Sequence, residues 1–325
     1  MRFLTIGTFQ KDSLESFFAE SLGSHGVSDE LDIGRNILVK YRQQIQNGLP
    51  FLWDLYCRFV LIKKLGYSQY DIVFVVMRDL NPKLISLIRK RSMGAKVVNL
   101  NPDQMTTQGR MYSLSSEYDY VFLKDRYLLS RLNRIGVRNC HFWSECYPEK
   151  WRVPTSGNSS SNSVVIFGNI YFYRHLLITN LRKRLPNVDI RVYGTPDRHV
   201  RSLRREYEIF PPIYGEYKMN IIRSAAVVVN NLHFAEVDSA NNKFFEIIGC
   251  GGLILNENNP EMRRLLKDEL EFLLWENIEE LSDKILHLLS NVELRSSLQR
   301  KLNELSYAED WTYKKVVSTI ITRIV

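Results

Sequence analysis

Four residues in one short segment have types and spacing suited to binding a charged ligand. They are Asn241, Asn242, Lys243 and Glu246, within the run AAVVVNNLHFAEVDSANNKFFEIIGCGGLILN at 225–256. Asn241 and Asn242 open a predicted helix that continues through Phe244, Phe245, Ile247 and Ile248 to Gly249. Asn is favoured at an N-cap and Gly past a helix C-terminus. The free N–H groups of such a helix start form an anion site. Asn242 and Glu246 are four apart and Lys243 and Glu246 three apart, so all three share one face. A cation beside a helix N-terminus suits a diphosphate, and a carboxylate one turn later suits a pair of ribose hydroxyls. Spacing alone leaves a second reading equally open, in which Lys243 and Glu246 form an ordinary ion pair on a solvated surface.

The elements that must position these groups are two buried strands, the apolar runs at 225–229 and 253–255, of the kind found centrally in parallel sheets. Gly249, Gly251 and Gly252 follow the helix, so they make a turn into the next strand and not a phosphate cradle. Further strands are predicted at 2–6, 72–77, 96–100, 120–123 and 139–142, then at 164–167 and 189–193, with helical patterns between them and helices from Pro260 onward. That alternation implies parallel sheets wound with helices. Ligands bind such sheets at the carboxyl ends of strands. The loops to inspect are therefore Gly7-Thr8-Phe9, Arg78-Asp79, Asn101-Pro102-Asp103 and Gly168-Asn169.

Composition fits a globular chain of two domains: 325 residues, 45% hydrophobic and 25% charged. The stretch PTSGNSSSNS at 154–163 is low in complexity and reads as a connector, giving domains at 1–153 and 164–325. Residues 1–155 hold 22 lysines and arginines against 15 acidic residues, net +7, whereas the remainder nets +1. The opening MRFLTIGTFQKD is too short in its apolar run for a signal peptide and reads as a strand. No run approaches the ~20 apolar residues of a membrane span. Cys57, Cys140, Cys146 and Cys250 have no zinc-ligand spacing and are expected to be reduced thiols. The expected location is the cytoplasm, or the cytosolic face of a membrane.

The run Asp238-x7-Glu246 followed by Ile-Ile-Gly-Cys-Gly-Gly resembles the E-x7-E and "FEAlAcGg" segment of GT-B glycosyltransferases, especially the CgeB-like (spore maturation protein) kind. Weaker similarity covers most of the chain, through the opening strand, Tyr70-Asp71-Ile72-Val73, Asn101-Pro102-Asp103, and Gly168 with Arg174. The resemblance implies an α/β fold of two Rossmann-like, doubly wound parallel-sheet domains facing across a cleft. It implies an acceptor domain first and a donor-nucleotide domain second, with 309–325 packing back on the first. It also implies a nucleoside-diphosphate sugar such as a UDP-sugar as donor, an acceptor hydroxyl on a glycan, lipid or protein, and no cofactor or essential metal. By position Glu246 would hold the donor ribose and Asp238 would lie near the sugar, although Asp replaces the usual Glu there. Gly168 and Arg174 resemble the phosphate-side loop, without the lysine that many relatives carry a few residues later, since His175-Leu176-Leu177-Ile178 follows. Lys243 is then the main cation for the diphosphate, with Asn241 and Asn242 beside it.

An inverting transferase needs a group to take the acceptor's proton, for which Asp103 and Asp79 are the first candidates. Each has a structural alternative, Asp103 as a turn residue after Pro102 and Asp79 as a helix cap. His233 either touches the donor sugar or packs in its loop. The stretch 35–65 combines Phe51, Leu52, Trp53, Leu55 and Tyr56 with Arg58, Lys63 and Lys64. It suits either a core helix with solvated cations or peripheral contact with an anionic membrane, and Gly48 and Pro50 interrupt any longer helix. The short basic clusters at 89–91 and 204–205 read as solvated helix faces, so nucleic acid is not expected as a partner. No G-x-G-x-x-G after a strand and no P-loop is present, which removes the main support for a nicotinamide oxidoreductase or a P-loop nucleotidase. The rival to a transferase is a non-catalytic protein of the same fold that binds sugar nucleotides or polyanions.

Overall fold

The computed structural model describes residues 1–34, 45, 48–66, 68–77, 80–103, 112–152, 161–203 and 207–325. They form two compact units, Met1–Ser144 with Tyr313–Val325, and Glu145–Thr312.

The first unit is built on strands β1 (Arg2–Gly7), β2 (Val27–Asp32), β3 (Ile72–Val75), β4 (Lys96–Asn101), β5 (Tyr120–Leu123) and β6 (Cys140–Phe142). They lie in the order β2-β1-β3-β4-β5-β6, parallel at every ladder. Around them are helices α1 (Leu14–Leu22), α2 (Pro50–Lys64), α3 (Pro82–Arg91) and α4 (Arg126–Arg134). Pro50 occupies the first turn of α2, where its missing N–H costs nothing. Strand β3 is buried at all four positions, as an unbroken apolar run requires. Strand β2, with sequence VSDELD, has no counterpart in the sequence reading. It is the sheet's edge, and only Leu31 of its six residues is fully covered, so no apolar pattern announces it.

The second unit comprises β7 (Val164–Phe167), α5 (Phe172–Arg184), β8 (Ile190–Tyr193), α6 (Arg198–Arg201), α7 (Gly215–Ser224), β9 (Val227–Asn230), α8 (Asn242–Gly249), β10 (Ile254–Glu257), α9 (Pro260–Leu265), β11 (Leu274–Trp275), α10 (Ile278–Ser290) and α11 (Val292–Glu309). Its sheet runs β11-β10-β9-β7-β8, again parallel throughout. The order reverses between β7 and β9, which makes the carboxyl ends of these two strands the switch point where a ligand crevice forms. The last helix, α12 (Tyr313–Ile324), belongs to the first unit. There Tyr313 packs on Phe17 with ring centroids 5.6 Å apart, and the Ile324 carbonyl accepts from Lys96 Nζ.

The units divide at Ser144/Glu145, earlier than the sequence boundary at 153/154. The reason is packing by two aromatic residues. Buried Tyr147 donates its backbone N–H to the Trp311 carbonyl at 3.0 Å and bonds Ser306 through its hydroxyl at 2.8 Å, and Trp151 is buried in the same unit. Of the predicted connector, residues 154–160 lie outside the described residues, while Ser161 N–H is bonded to the Ser224 carbonyl at 3.1 Å.

All four cysteines are free and buried. Burial pushes the Cys140 thiol up to about 11 and that of Cys146 well above its ordinary value, with Glu145 adding to the latter. Since the thiolate is the nucleophile, the folded protein is expected to leave Ellman's reagent unreacted at pH 8 and to release four thiols only in denaturant. Fast reaction of a native thiol would contradict this burial. Among the described residues no helix is long and apolar enough to cross a membrane.

Candidate functional site

At the switch point β7 ends in Gly168, whose φ of +106° is a conformation that L side chains rarely adopt. A Cβ placed there would lie 2.3 Å from Lys243 Cε, 3.2 Å from Lys243 Nζ and 3.1 Å from a guanidinium nitrogen of Arg174. The structure therefore brings together Gly168, Arg174 and Lys243, which are 75 positions apart at the extremes.

Lys243 stands in the first turn of α8, and three buried asparagines hold that turn over the sheet. Asn241 is the N-cap, accepting from Phe244 N–H at 3.2 Å. Asn230, at the end of β9, exchanges two hydrogen bonds with Asn241 at 2.9 and 3.2 Å, and also donates to Asn256 of β10 at 2.6 Å. Phe244 and Phe245 are buried and meet Trp311 edge-on. Asn241 thus caps α8, whose N-terminus, with its partial positive charge, stands beside the end of β9.

Glu246, one turn on, is buried and ion-paired with Lys218 of α7, whose Nζ donates to Oε1 at 3.0 Å. Asn242 Nδ2 donates to the same oxygen at 3.1 Å. The ammonium of Lys218 sits 4.2 Å from the centre of the Trp151 ring. The solvated-surface alternative for Glu246 is thereby overturned. Neither Lys218 nor Trp151 is among the candidates that residue type and spacing single out. One local signal existed: Lys218 stands four residues before Ile222, and both are on the buried face of α7.

Arg174 is tied to the protein on both sides of the crevice. It is buried, and its guanidinium donates to the carbonyls of Phe167 (3.3 Å), Asn169 (3.0 Å) and Asn231 (3.2 Å) and to Asn231 Oδ1 (2.6 Å). With its donors turned to the protein, it shapes the Gly168 loop and fastens it to the end of β9. Burial lowers its pKa, opposed by Tyr171, Glu236 and Glu257. A network absent from the sequence reading adjoins it. Tyr173 hydroxyl donates to Glu257 Oε1 at 2.6 Å and Leu232 N–H to Oε2 at 2.8 Å, while Tyr171 hydroxyl donates to the Leu232 carbonyl at 3.0 Å. Burial holds the Glu257 carboxyl above the ordinary carboxylate range against those two hydrogen bonds.

His233 accepts from Ala235 N–H through Nδ1 at 3.2 Å and packs between Tyr171 and Phe234, with ring centroids at 5.3 and 4.2 Å. Asp238 is largely covered and ion-paired with Arg264, which also bonds Glu261. Asp103 follows β4, and its backbone N–H donates to Asn101 Oδ1 at 3.1 Å, so the Asx turn there is made by the Asn101 side chain. Asp79 lies outside the described residues. Among the described residues no group of three or more His, Cys, Asp or Glu side chains could hold a metal ion.

No curated protein sequence matches the chain. Residues 174–322 match the family described as "Glycosyl transferase-like". Among solved structures, the chain is similar to Anabaena Alr3699/HepE in complex with UDP and glucose, with 10% identity, a TM-score of 0.69, and 100% of this chain and 99% of that one covered. It is similar to sucrose-phosphate synthase from Thermosynechococcus elongatus, with 12% identity, a TM-score of 0.70 and coverage of 99% and 98%. A glycosyltransferase from Rickettsia africae aligns with 14% identity, a TM-score of 0.66 and coverage of 99% and 97%. The two parallel sheets of this chain thus have the fold of the GT-B glycosyltransferases, and residues 174–322, a little under half of the chain, match the Glycosyl transferase-like family.

Proposed function

We propose that the protein moves a sugar from a nucleoside-diphosphate sugar to an acceptor hydroxyl, that the second unit holds the donor, and that the basic first unit receives the acceptor. The observation that carries this reading is the convergence of Gly168, Lys243 and the start of α8 at the switch point, with the fixed carboxylate of Glu246 one turn away. In the reaction the acceptor oxygen bonds the anomeric carbon while the bond from that carbon to phosphate oxygen breaks, and the electron pair leaves on the diphosphate. The Lys243 ammonium and the N–H groups opening α8 stabilise that charge, which is the reason to expect a metal-independent transferase. Glu246 receives the ribose hydroxyls. Asp103 and Asp79 are the proposed takers of the acceptor proton, and Asp238 and His233 the proposed neighbours of the sugar. The 238–252 segment supports a place among CgeB-like glycosyltransferases, and four free cysteines support a reducing, cytosolic setting.

A thermal-shift screen with UDP, GDP, CMP and their sugar conjugates, with and without EDTA, tests this. A ligand at ~100 times its Kd adds about 2.7 kcal/mol of stability. One nucleoside diphosphate is expected to raise the melting temperature irrespective of EDTA. Lys243→Ala should weaken it roughly ten- to a hundredfold, as loss of a charge-assisted hydrogen bond implies. The absence of any shift would favour a polyanion-binding role, and an EDTA-sensitive shift would refute metal independence.

A further inference from the structure

Helix α2 is apolar on two sides. Its inner side, Trp53, Cys57, Val60 and Leu61, is buried in the core of the first unit. Its outer side carries Phe51, Leu55 and Phe59, each more than 60% exposed, with Leu52 and Ile62 at 41% and 40%. Positions 51, 55, 59 and 62 follow helical spacing, so they form one stripe along the helix. A surface helix is ordinarily polar there, and an exposed apolar patch of this extent marks an interaction site. The outer side also opens an apolar cleft of about 540 Å³, lined by Leu52, Trp53, Leu55, Tyr56 and Phe59 with Ile45.

The exposed charged residues of α2 are all cations, one of which, Lys64, donates to the Asp32 carbonyl at 3.0 Å. Arg58, Lys63 and Lys64 are exposed, and the Lys63 ammonium lies 6.0 Å from the centre of the Phe59 ring. Arg91 adds a cation at the helix C-terminus, donating to the Ile62 and Leu65 carbonyls. The helix has one acid, Asp54, and it accepts from Asn81 Nδ2 at 2.9 Å. A second copy of the chain is a poor occupant, because two-fold pairing of this face would bring its exposed cations together, and the half-buried Asp54 of each copy is already held by Asn81. A surface apolar beneath and anionic above matches both features at once.

We infer that α2 is a peripheral membrane-docking helix, lying in the plane of an anionic bilayer with its outer stripe among the upper acyl carbons and Arg58, Lys63 and Lys64 on lipid phosphates. The geometry is that of an interfacial helix, whose affinity combines buried apolar area with about 1 kcal/mol per basic residue near the surface. This inference is independent of the donor-site reading, since every residue in it belongs to the first unit.

Co-sedimentation of the full chain with vesicles of phosphatidylcholine alone, and of phosphatidylcholine mixed with phosphatidylglycerol, is the test. The protein should pellet with the mixed vesicles, far less with the neutral ones, and less as salt rises. Phe51→Ser with Leu55→Ser and Phe59→Ser, and separately Arg58→Glu with Lys63→Glu, should each lower bound protein about tenfold or more at an unchanged circular dichroism spectrum. Failure to pellet with anionic vesicles at low salt, or equal pelleting of both variants and wild type, would overturn the inference. So would a dimer in light scattering that the serine variant turns into monomer, because the stripe would then be a self-association face.

Discussion

Lys218→Met is expected to destabilise the second unit by about 3–5 kcal/mol in a urea titration. It strands the Glu246 carboxylate where both side chains are only 6–7% exposed, and a buried charge left without its partner costs that much. Glu246→Ala is expected to cost less, because the ammonium left behind keeps the Trp151 ring at 4.2 Å. The double variant Lys218→Met/Glu246→Leu should recover most of the stability, since an apolar pair of similar volume commonly replaces a buried ion pair without loss. It should nevertheless fail to bind the nucleoside diphosphate in calorimetry. A cost below about 1 kcal/mol for Lys218→Met would mean that the pair is not closed to water. Wild-type affinity in the double variant would remove the carboxylate from the donor site while leaving its structural account intact.

For Gly168→Ala two separate losses are expected. A residue with a Cβ at φ +106° costs about 1–3 kcal/mol of stability, and Gly194, whose own Cβ would fall 1.9 Å from the Gly168 carbonyl oxygen, prevents the loop from sliding aside. The new methyl also meets the Lys243 side chain at 2.3 Å. That chain is flexible toward its end, so it yields, and the ammonium moves from its place beside the loop. Affinity for the nucleoside diphosphate found in the screen should fall about tenfold, roughly 1.4 kcal/mol, while the corresponding nucleoside, which has no phosphate, binds as before. Equal losses for both ligands would point to a disturbed fold, and no loss for either would take Lys243 away from the diphosphate.

The parts of the site legible in the sequence are those fixed by local rules. Helix α8 begins and ends where its Asn and Gly residues say it should, because caps satisfy backbone groups within the same turn. The central strands β3, β7 and β9 are read from apolar runs that only a sheet covered on both faces would carry. The edge strand β2 and the two-residue β11 are not legible, the first because its side chains face water and the second because it is too short to show a period. The unit boundary at Ser144/Glu145 is likewise hidden, since the Ser/Asn-rich connector is conspicuous and the packing of Tyr147 and Trp151 is not.

Read alone, the chain specifies the alternation of strands and helices, hence two parallel sheets, and it names Gly168, Lys243 and Glu246 among its ten candidate site residues. Local propensity, apolar periodicity and capping are properties of neighbours in the chain, and they need no tertiary contact to be read. Which partner each polar group has is set by tertiary contacts. Lys218, rather than solvent, meets Glu246; carbonyls of Phe167, Asn169 and Asn231 take Arg174; Arg264 takes Asp238; and Lys243 is the cation laid against Gly168. Apart from the two nearby carbonyls of Phe167 and Asn169, 7 and 5 positions from Arg174, those pairings join residues 26 to 75 positions apart. They are fixed by strand order and by the burial that makes an unpartnered charge or hydrogen-bonding group too costly to leave, and neither is written in the spacing of residues along the chain.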